Sequence, residues 1–203
     1  PAADLKVNHN NVSHTFRLGL TEKDGKNYKL TPLGEYYLDG RIKPRDLFRK
    51  QMLRYSHTLE EQKSERTLFP YRACLEILKG LDSFEPLTFN EFAFCIYPMY
   101  DSTEESIQTA IDDIKYLRKN YPKLEAISMA NQPQILQVLN KHFVTSLTEV
   151  DIWGSKATTV KNQFMYFRNH LSLFDEIIQI KNGNICLKPG ITAKDIEKLL
   201  SLD

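Results

Sequence analysis

The residues that could do chemistry most directly are acidic side chains with a lysine nearby. A Mg²⁺-dependent nuclease holds its metal with carboxylates and uses a lysine to position or activate the attacking water. Three stretches have this composition: Asp46 with Glu61 and Lys63, Asp113 with Lys115, and Glu149 and Asp151 with Lys156. None stands on an apolar strand, so the sequence predicts no catalytic residue in this chain. A small nuclease that uses Asp46, Glu61 and Lys63 stays open as an alternative.

Other common catalytic and cofactor sites are not indicated. The five histidines and three cysteines have no zinc-binding spacing. We find no glycine-rich phosphate loop and no serine or cysteine in a nucleophile elbow. Cys74, Cys95 and Cys186 each stand among apolar residues, as buried thiols in a reducing cytoplasm do. We therefore expect no metal or cofactor in this chain and a cytoplasmic location.

The composition is that of an ordinary globular domain. Hydrophobic residues are 41% and charged residues 26%, and 27 Lys and Arg stand against 26 Asp and Glu. This near-neutral balance does not indicate a nucleic-acid binder, so such a function needs a local basic patch. The sequence has no apolar run of membrane-spanning length. It begins Pro1-Ala2-Ala3-Asp4, without a signal peptide or an initiator Met, so we expect a fragment or a processed product.

One local basic patch lies between residues 41 and 54. Six cations stand there against one acid, Asp46. A segment of this kind is suited to contacts with several phosphates, and such binding weakens steeply as salt rises. The predicted phosphate-binding residues are Arg41, Lys43, Arg45, Arg49, Lys50 and Arg54. The alternative interpretation is a solvated helix face.

A second candidate surface is the polar side of a helix predicted over residues 155–170. Asn and Gln side chains pair bidentately with adenine, and Lys and Arg pair with guanine, so these residue types suit base reading. The predicted DNA-binding residues of this helix are Lys156, Thr159, Lys161, Asn162, Gln163, Tyr166 and Arg168. An ordinary polar surface is the competing interpretation.

The elements that must position these surfaces are helices and short hairpins. Residues 1–60 predict a hairpin around Asp24-Gly25, with its first strand at residues 16–20, then a helix capped by Thr31 and one that begins at Pro44. Residues 61–150 predict a helical subdomain, in which helices begin at Pro70 and at the Thr88 capping box. Residues 151–203 predict the helix over 155–170, a strand at 176–180, an Asn182-Gly183 turn and a helix capped by Thr192.

Helices followed by a two-stranded hairpin are the pattern of a winged helix. In that arrangement the helix before the hairpin enters the major groove, and the hairpin forms the wing. The predicted fold is therefore mainly α, of the α+β kind, with winged-helix subdomains. Winged helices also serve as protein-interaction modules, so the pattern alone does not decide the function.

Several ordered segments resemble the DNA-recognition half of the AlwI-like type IIS restriction endonucleases, a group that includes strand-nicking enzymes. They are residues 28–34 (Tyr-Lys-Leu-Thr-Pro-Leu-Gly), the basic stretch 42–55, the helix start at 87–93, the Tyr-Phe-Arg at 166–168 and residues 181–189. Their order and spacing also match. The similarity extends over about residues 16–190 and is weakest between 121 and 150.

The resemblance implies monomeric binding to a short asymmetric double-stranded DNA site through winged-helix subdomains. It also implies that a separate C-terminal nuclease domain, which uses Mg²⁺, makes the cut. Two alternative functions remain, and they predict different binding behaviour. A winged-helix transcription regulator would dimerise on palindromic half-sites, and a protein-interaction scaffold would have no nucleic-acid role.

Overall fold

The computed structural model describes Thr15 and residues 19–58, 67–81 and 85–201 of the 203-residue chain. These residues fall into two units, one up to Tyr55 and the other from Ser56 onward. Helices dominate both units and the strands form short antiparallel pairs, so the predicted mainly helical α+β class is confirmed. The second unit runs through both of the regions predicted as middle and C-terminal subdomains. No helix in the described ranges is long and apolar enough to cross a membrane.

The first unit opens with a hairpin of β1 (Thr21–Asp24) and β2 (Asn27–Leu30), followed by helix α1 (Pro32–Leu38). The predicted cap is confirmed, because the Thr31 hydroxyl accepts a hydrogen bond from the Gly34 amide at 3.1 Å. A Cβ at Gly34 would lie 2.1 Å from the carbonyl oxygen of Leu20, so only glycine fits this helix against the incoming chain.

The first strand begins later than the predicted start at residue 16. Gly19 has φ +66°, a left-handed conformation that interrupts an extended strand. The Thr31 hydroxyl and amide donate to the carbonyls of Gly19 and Leu20, at 2.6 and 3.0 Å. These bonds tie the stretch before Thr21 to the start of α1 instead of to the hairpin ladder. Residues 16–18 lie outside the described residues.

Helix α2 (Pro44–Arg54) follows, beginning at the predicted proline. It buries Leu47, Met52 and Leu53. Its basic residues occupy the remaining faces, so the sequence pattern separates an apolar stripe from a charged surface.

The second unit is built from more elements. Its helical segments are, in chain order, α3 (Pro70–Gly80), α4 (Phe89–Glu91), a π-helical turn (Phe92–Ile96), α5 (Glu104–Asn120), a 3-10 turn (Leu124–Ala126), α6 (Gln132–Phe143), α7 (Glu149–Ile152), α8 (Thr159–Leu171) and α9 (Ala193–Leu200). Its strands pair as β3 (His57–Thr58) with β4 (Thr67–Leu68) and β5 (Ile178–Lys181) with β6 (Asn184–Leu187).

Local capping signals set several of these helix starts. Thr88 and Glu91 form a reciprocal capping box at α4, and Thr192 and Asp195 form one at α9. Both starts were predicted from the sequence and are confirmed. The segment after Glu91 winds into the π-helical turn, in which the Tyr97 amide donates to the Phe92 carbonyl at 2.8 Å. Periodicity alone does not distinguish this turn from α-helix.

Aromatic rings hold α3, the π-helical turn and α8 together. The Phe92 ring centroid lies 5.2 Å from those of both Phe164 and Phe167. Tyr71 of α3 stacks on Phe167 with centroids 5.1 Å apart. The Tyr71 hydroxyl also lies 2.5 Å from Nδ1 of His170. Such pairs stabilise by about 0.5–1.5 kcal/mol each beyond the burial of their area. These contacts therefore fix the buried side of α8.

A backbone bridge joins the start of α4 to the hairpin of β5 and β6. The Leu87 amide donates to the Ile185 carbonyl at 2.7 Å, and the Ile185 amide donates back at 3.1 Å. Leu87 and Ile185 are both fully buried. This single-residue bridge pairs Leu87 with β6, so the hairpin is attached to the start of α4.

Helices α5, α6 and α7 follow the π-helical turn and precede α8. Arg118 of α5 joins these helices to the α4 capping box, because its Nε donates to Oε1 of the buried Glu91 at 2.6 Å. Its other nitrogens donate to the exposed Glu85 at 3.0 Å and to the Pro86 carbonyl at 3.2 Å. Glu91 in turn accepts from the Thr88 amide at 2.7 Å.

We expect Arg118→Met to destabilise the protein by about 3 kcal/mol, because it leaves the Glu91 carboxylate buried without its cationic partner. Glu85→Gln is the matched control, since it removes an exposed partner of the same arginine, and we expect a loss under about 1 kcal/mol. Urea unfolding followed by circular dichroism measures both. The Glu91→Gln and Arg118→Met double variant should recover part of the loss. Equal effects of the two single variants would contradict this assignment.

Candidate nucleic-acid interface

Helix α8 has one buried side and one exposed polar side. Val160, Phe164, Phe167 and Leu171 are buried, as their helical spacing predicts. Thr159, Asn162, Gln163 and Tyr166, four of the predicted DNA-binding residues, are exposed. The exposed fraction of Tyr166 is 54%. The structure thus brings these four side chains together on the surface opposite the aromatic core.

Lys161 and Arg168 lie on a flank of α8, as predicted, but there they donate to backbone carbonyls of neighbouring segments. The Lys161 ammonium donates to the Val150 carbonyl at 2.7 Å and also to that of Gly154. Arg168 donates through Nη1 to the Gly183 carbonyl at 3.1 Å. Both side chains are half-buried. Lys161 therefore holds the end of α7, and Arg168 holds the turn of the β5–β6 hairpin.

Lys156 stands outside the helix, although the sequence places it inside. Helix α8 begins at Thr159, with Thr158 as its N-cap residue, instead of at the predicted residue 155. The loop before α8 runs through Gly154, where a Cβ would lie 2.6 Å from the Val150 carbonyl oxygen, so only glycine fits there. Lys156 is consequently an exposed cation in the loop before α8.

The β5–β6 hairpin follows α8 closely. Its two-residue turn has φ +51° at Asn182 and +79° at Gly183, as a type I′ turn requires, so the predicted Asn-Gly hairpin is confirmed. The first strand begins at Ile178 and not at the predicted residue 176, because the preceding residues form a turn in which the Ile178 amide donates to the Phe174 carbonyl.

The hairpin tip carries further polar residues, which are not among the predicted DNA-binding residues. Lys181 and Asn182 are exposed, and Asn184 is half-exposed. The signal for them was present in the sequence, since a Lys-Asn-Gly-Asn turn directly after a polar helix is suited to backbone contacts. These residues extend the candidate surface from α8 to the hairpin.

Between Asp151 and Asp175 the charged residues of the sequence are all basic, and the Asp151 carboxylate lies near one of them, Lys161. No acidic residue occurs between Asp151 and Asp175, whereas Lys156, Lys161 and Arg168 all fall there. A local excess of positive charge favours an anionic partner even in a chain of net charge +1.

The basic segment of the first unit forms a second candidate surface. Arg41, Lys43, Arg45, Lys50 and Arg54 are exposed, and Arg49 is half-buried. Burial has the largest effect on Arg49 and lowers its pKa. Repulsion from Arg45 lowers the pKa further, and attraction to Asp46 raises it.

Arg41 has an acidic and an aromatic neighbour, and Lys43 stands at the start of α2. Arg41 lies 3.2 Å from Asp39, and its guanidinium carbon lies 5.3 Å from the Tyr36 ring centroid. Lys43 is the N-cap residue of α2, and its side chain makes no capping bond.

The predicted acidic candidates have other partners. Asp113 faces His142, with the carboxylate and Nε2 4.0 Å apart, and burial raises the pKa of Asp113 against the effect of His142. Asp46 is exposed on α2, while Glu61 and Lys63 lie outside the described residues. Among the described residues, no three His, Cys, Asp or Glu side chains are grouped as a metal ion would need.

Asp151, the third candidate, caps a helix. Its carboxylate accepts from the Thr148 amide at 2.8 Å and from the Thr148 hydroxyl at 2.7 Å. Burial alone would raise the pKa of Asp151, but these hydrogen bonds and the nearby charge of Lys161 together hold the pKa below its ordinary value. Its charge therefore stabilises α7.

The three cysteines are buried free thiols, as predicted. Burial raises the pKa of Cys74, Cys95 and Cys186, with Asp113 and Glu91 adding to the effect at Cys95. A raised pKa keeps a thiol protonated and unreactive at neutral pH.

A cleft of about 960 Å³ opens beside the first turn of α8. Asn162 and Thr159 line one side, and Tyr97, Tyr100 and Lys141 contribute to the others. The exposed tyrosines give the cleft aromatic surface, and the lysine adds a cation. It borders the polar face of α8.

Comparison with protein-family models finds no matching family, and comparison with curated proteins finds no matching relative.

We expect Asp151→Asn to lower the free energy of unfolding by about 0.5–1 kcal/mol at neutral pH, because the capping carboxylate loses its charge. The native pKa is depressed, so this stabilisation is present above about pH 4 and is lost as the pH falls through the native pKa. Unfolding by urea at several pH values measures it. Glu149→Gln, on the exposed surface of the same turn, is the control, and a difference that stays constant down to pH 2 would contradict the assignment.

Proposed function

We propose that this chain is the sequence-specific double-stranded DNA recognition module of a type IIS restriction endonuclease, in which α8 reads bases. The observation that carries the proposal is the exposed polar face of α8. It lies opposite a stripe locked by aromatic packing, and a hairpin follows directly. A rigid helix with Thr, Asn, Gln and Tyr on its outer face is suited to the major groove.

The order of elements supports a winged-helix arrangement in the second unit. Helix α3, the bridge residue Leu87, α4 with its π-helical turn, α8, β5 and β6 follow in the order helix, single-residue bridge, helix, helix and hairpin. Helices α5, α6 and α7 fall between the second and third helices of this set. In such an arrangement α8 is the recognition helix and the hairpin is the wing.

The phosphate contacts follow from the exposed cations. Lys156 precedes the recognition helix, Lys181 stands on the wing, and the basic segment from Arg41 to Arg54 adds further positive charge. Contacts of this kind set the position of the protein on the duplex without carrying sequence information. We propose that the chain binds an asymmetric site as a monomer in the cytoplasm.

The proposal assigns recognition, and not cleavage, to this chain. In the family that the sequence resembles, cleavage belongs to a separate C-terminal domain that uses Mg²⁺. Asp113 and Asp151, two of the acidic candidates of the second unit, interact with His142 and Thr148 respectively.

A protein-interaction scaffold is the second candidate function. The observation that favours it is the net charge of +1, which is low for a DNA-binding protein. A scaffold with this fold would bind duplexes weakly and with little dependence on salt.

The test is enrichment of a randomised duplex pool by the purified chain at 50 and at about 200 mM salt, followed by sequencing. We expect one short asymmetric motif, and affinity that falls by orders of magnitude between these concentrations because phosphate contacts release counterions. Recovery of a palindrome bound by a dimer would favour a transcription regulator. Absence of any motif, together with salt-insensitive binding, would favour the scaffold.

Two lysines provide a matched comparison within that experiment. Lys156→Gln removes an exposed cation before α8, so the slope of log affinity against log salt should fall by about 1. Lys161→Gln removes a cation that donates to carbonyls, so its slope should stay near that of the unmodified chain. Equal changes in the two slopes would contradict the placement of these side chains.

A further inference from the structure

We infer that the outer face of α8 reads A·T base pairs, with the side-chain amides of Asn162, Gln163 and Asn169 as the groups that specify adenine. This inference rests on the proposed function, since it requires α8 to lie in the major groove. It goes further, because it assigns the kind of base pair and the residues that select it.

The two cations of α8, Lys161 and Arg168, are the groups that would read guanine. Guanine is read most often by Arg or Lys through its O6 and N7 acceptors. Lys161 and Arg168 stand seven residues apart, so they share one flank of the helix at about 100° per residue. Both donate to backbone carbonyls on either side of α8, Lys161 at the end of α7 and Arg168 at the hairpin turn. The usual guanine-reading groups are therefore turned away from the outer face.

Three side-chain amides remain on α8, and Asn162, Gln163 and Asn169 are all exposed. Asn162 and Asn169 are seven residues apart and share the outer side of the helix, whereas Gln163 lies about 100° from Asn162, on the flank away from Lys161. Across the described ranges, none of their side-chain amides takes part in a hydrogen bond. A carboxamide offers one acceptor and one donor side by side, which matches N6 and N7 of adenine in a bidentate pair. The face therefore presents neutral groups complementary to adenine.

Two large side chains with apolar surface lie among these amides in the sequence. Met165 and Tyr166 are 40% and 54% exposed, so they offer apolar contact area on the same helix. The partner of adenine is thymine, whose C5 methyl group projects into the major groove and takes apolar contacts. Amides that flank apolar side chains thus match both members of an A·T pair.

The length of this face limits the site. Asn162 and Asn169 are seven residues apart, so they are separated by about 10 Å along the helix axis. Duplex DNA rises about 3.4 Å per base pair, so the face spans roughly three base pairs. We therefore expect a short run that contains A·T pairs inside the enriched motif.

The test uses the motif obtained from the randomised pool. Each adenine is replaced in turn by 7-deazaadenine, which lacks the N7 acceptor, and each thymine by deoxyuridine, which lacks the methyl group. Fluorescence anisotropy then measures the Kd of the unmodified chain and of Asn162→Ala, Gln163→Ala and Asn169→Ala. Gln137→Ala, an exposed glutamine of α6, is the matched control.

We expect at least one 7-deazaadenine to weaken binding of the unmodified chain roughly ten-fold. One of the three amide variants should no longer distinguish adenine from 7-deazaadenine at that position, while Gln137→Ala keeps the discrimination. Circular dichroism confirms that the exposed substitutions leave the fold intact.

Two results would overturn the inference while leaving the proposed function intact. One is a motif whose adenines all tolerate 7-deazaadenine, and the other is undiminished discrimination in all three amide variants. If the pool yields no motif at all, the proposed function fails, and the inference fails with it.

Discussion

The contact of Phe92 with Phe164 and Phe167 is the interaction on which the rest of the second unit depends. It holds α8 against the π-helical turn, and the stack of Tyr71 on Phe167 adds α3 to the same cluster. Because the buried stripe of α8 is fixed in this way, its opposite side must face outward. The positions of the buried residues on α8 therefore determine which residues are exposed. The Leu87–Ile185 bridge positions the hairpin.

Local signals in the sequence predicted most helix starts and the main hairpin. Thr31, Thr88 and Thr192 cap helices, and Asn182-Gly183 forms a two-residue turn, because each depends on neighbours only a few residues away. The bridge from Leu87 to Ile185 joins residues nearly a hundred positions apart and leaves no local signature. The pairing of Arg118 with Glu91 cannot be predicted from the sequence for the same reason, because an arginine on the polar face of a helix usually indicates exposure to solvent.

Sequence reasoning identified the exposed side of α8 but assigned all its polar residues one role. Thr159, Asn162, Gln163 and Tyr166 are exposed, as the helical period requires. Lys161 and Arg168 differ from these four residues, because their long side chains donate to backbone carbonyls of neighbouring segments. Residue type and spacing do not reveal such acceptors, which come from the fold. The separation of cations from amides on α8 is thus a tertiary property, and it changes the expected chemistry from mixed base reading to adenine reading.

The central claim is that the outer face of α8 lies in the major groove of a DNA site, and directed cleavage tests it most directly. Because Cys74, Cys95 and Cys186 are buried with raised thiol pKa values, Gln163→Cys provides one exposed thiol for an iron chelate that generates hydroxyl radicals. We expect strand breaks clustered within the enriched site, on positions that border the major groove, and no such cluster from the same chelate at Gln137→Cys. Breaks spread evenly along the duplex, or identical patterns from both positions, would contradict the account.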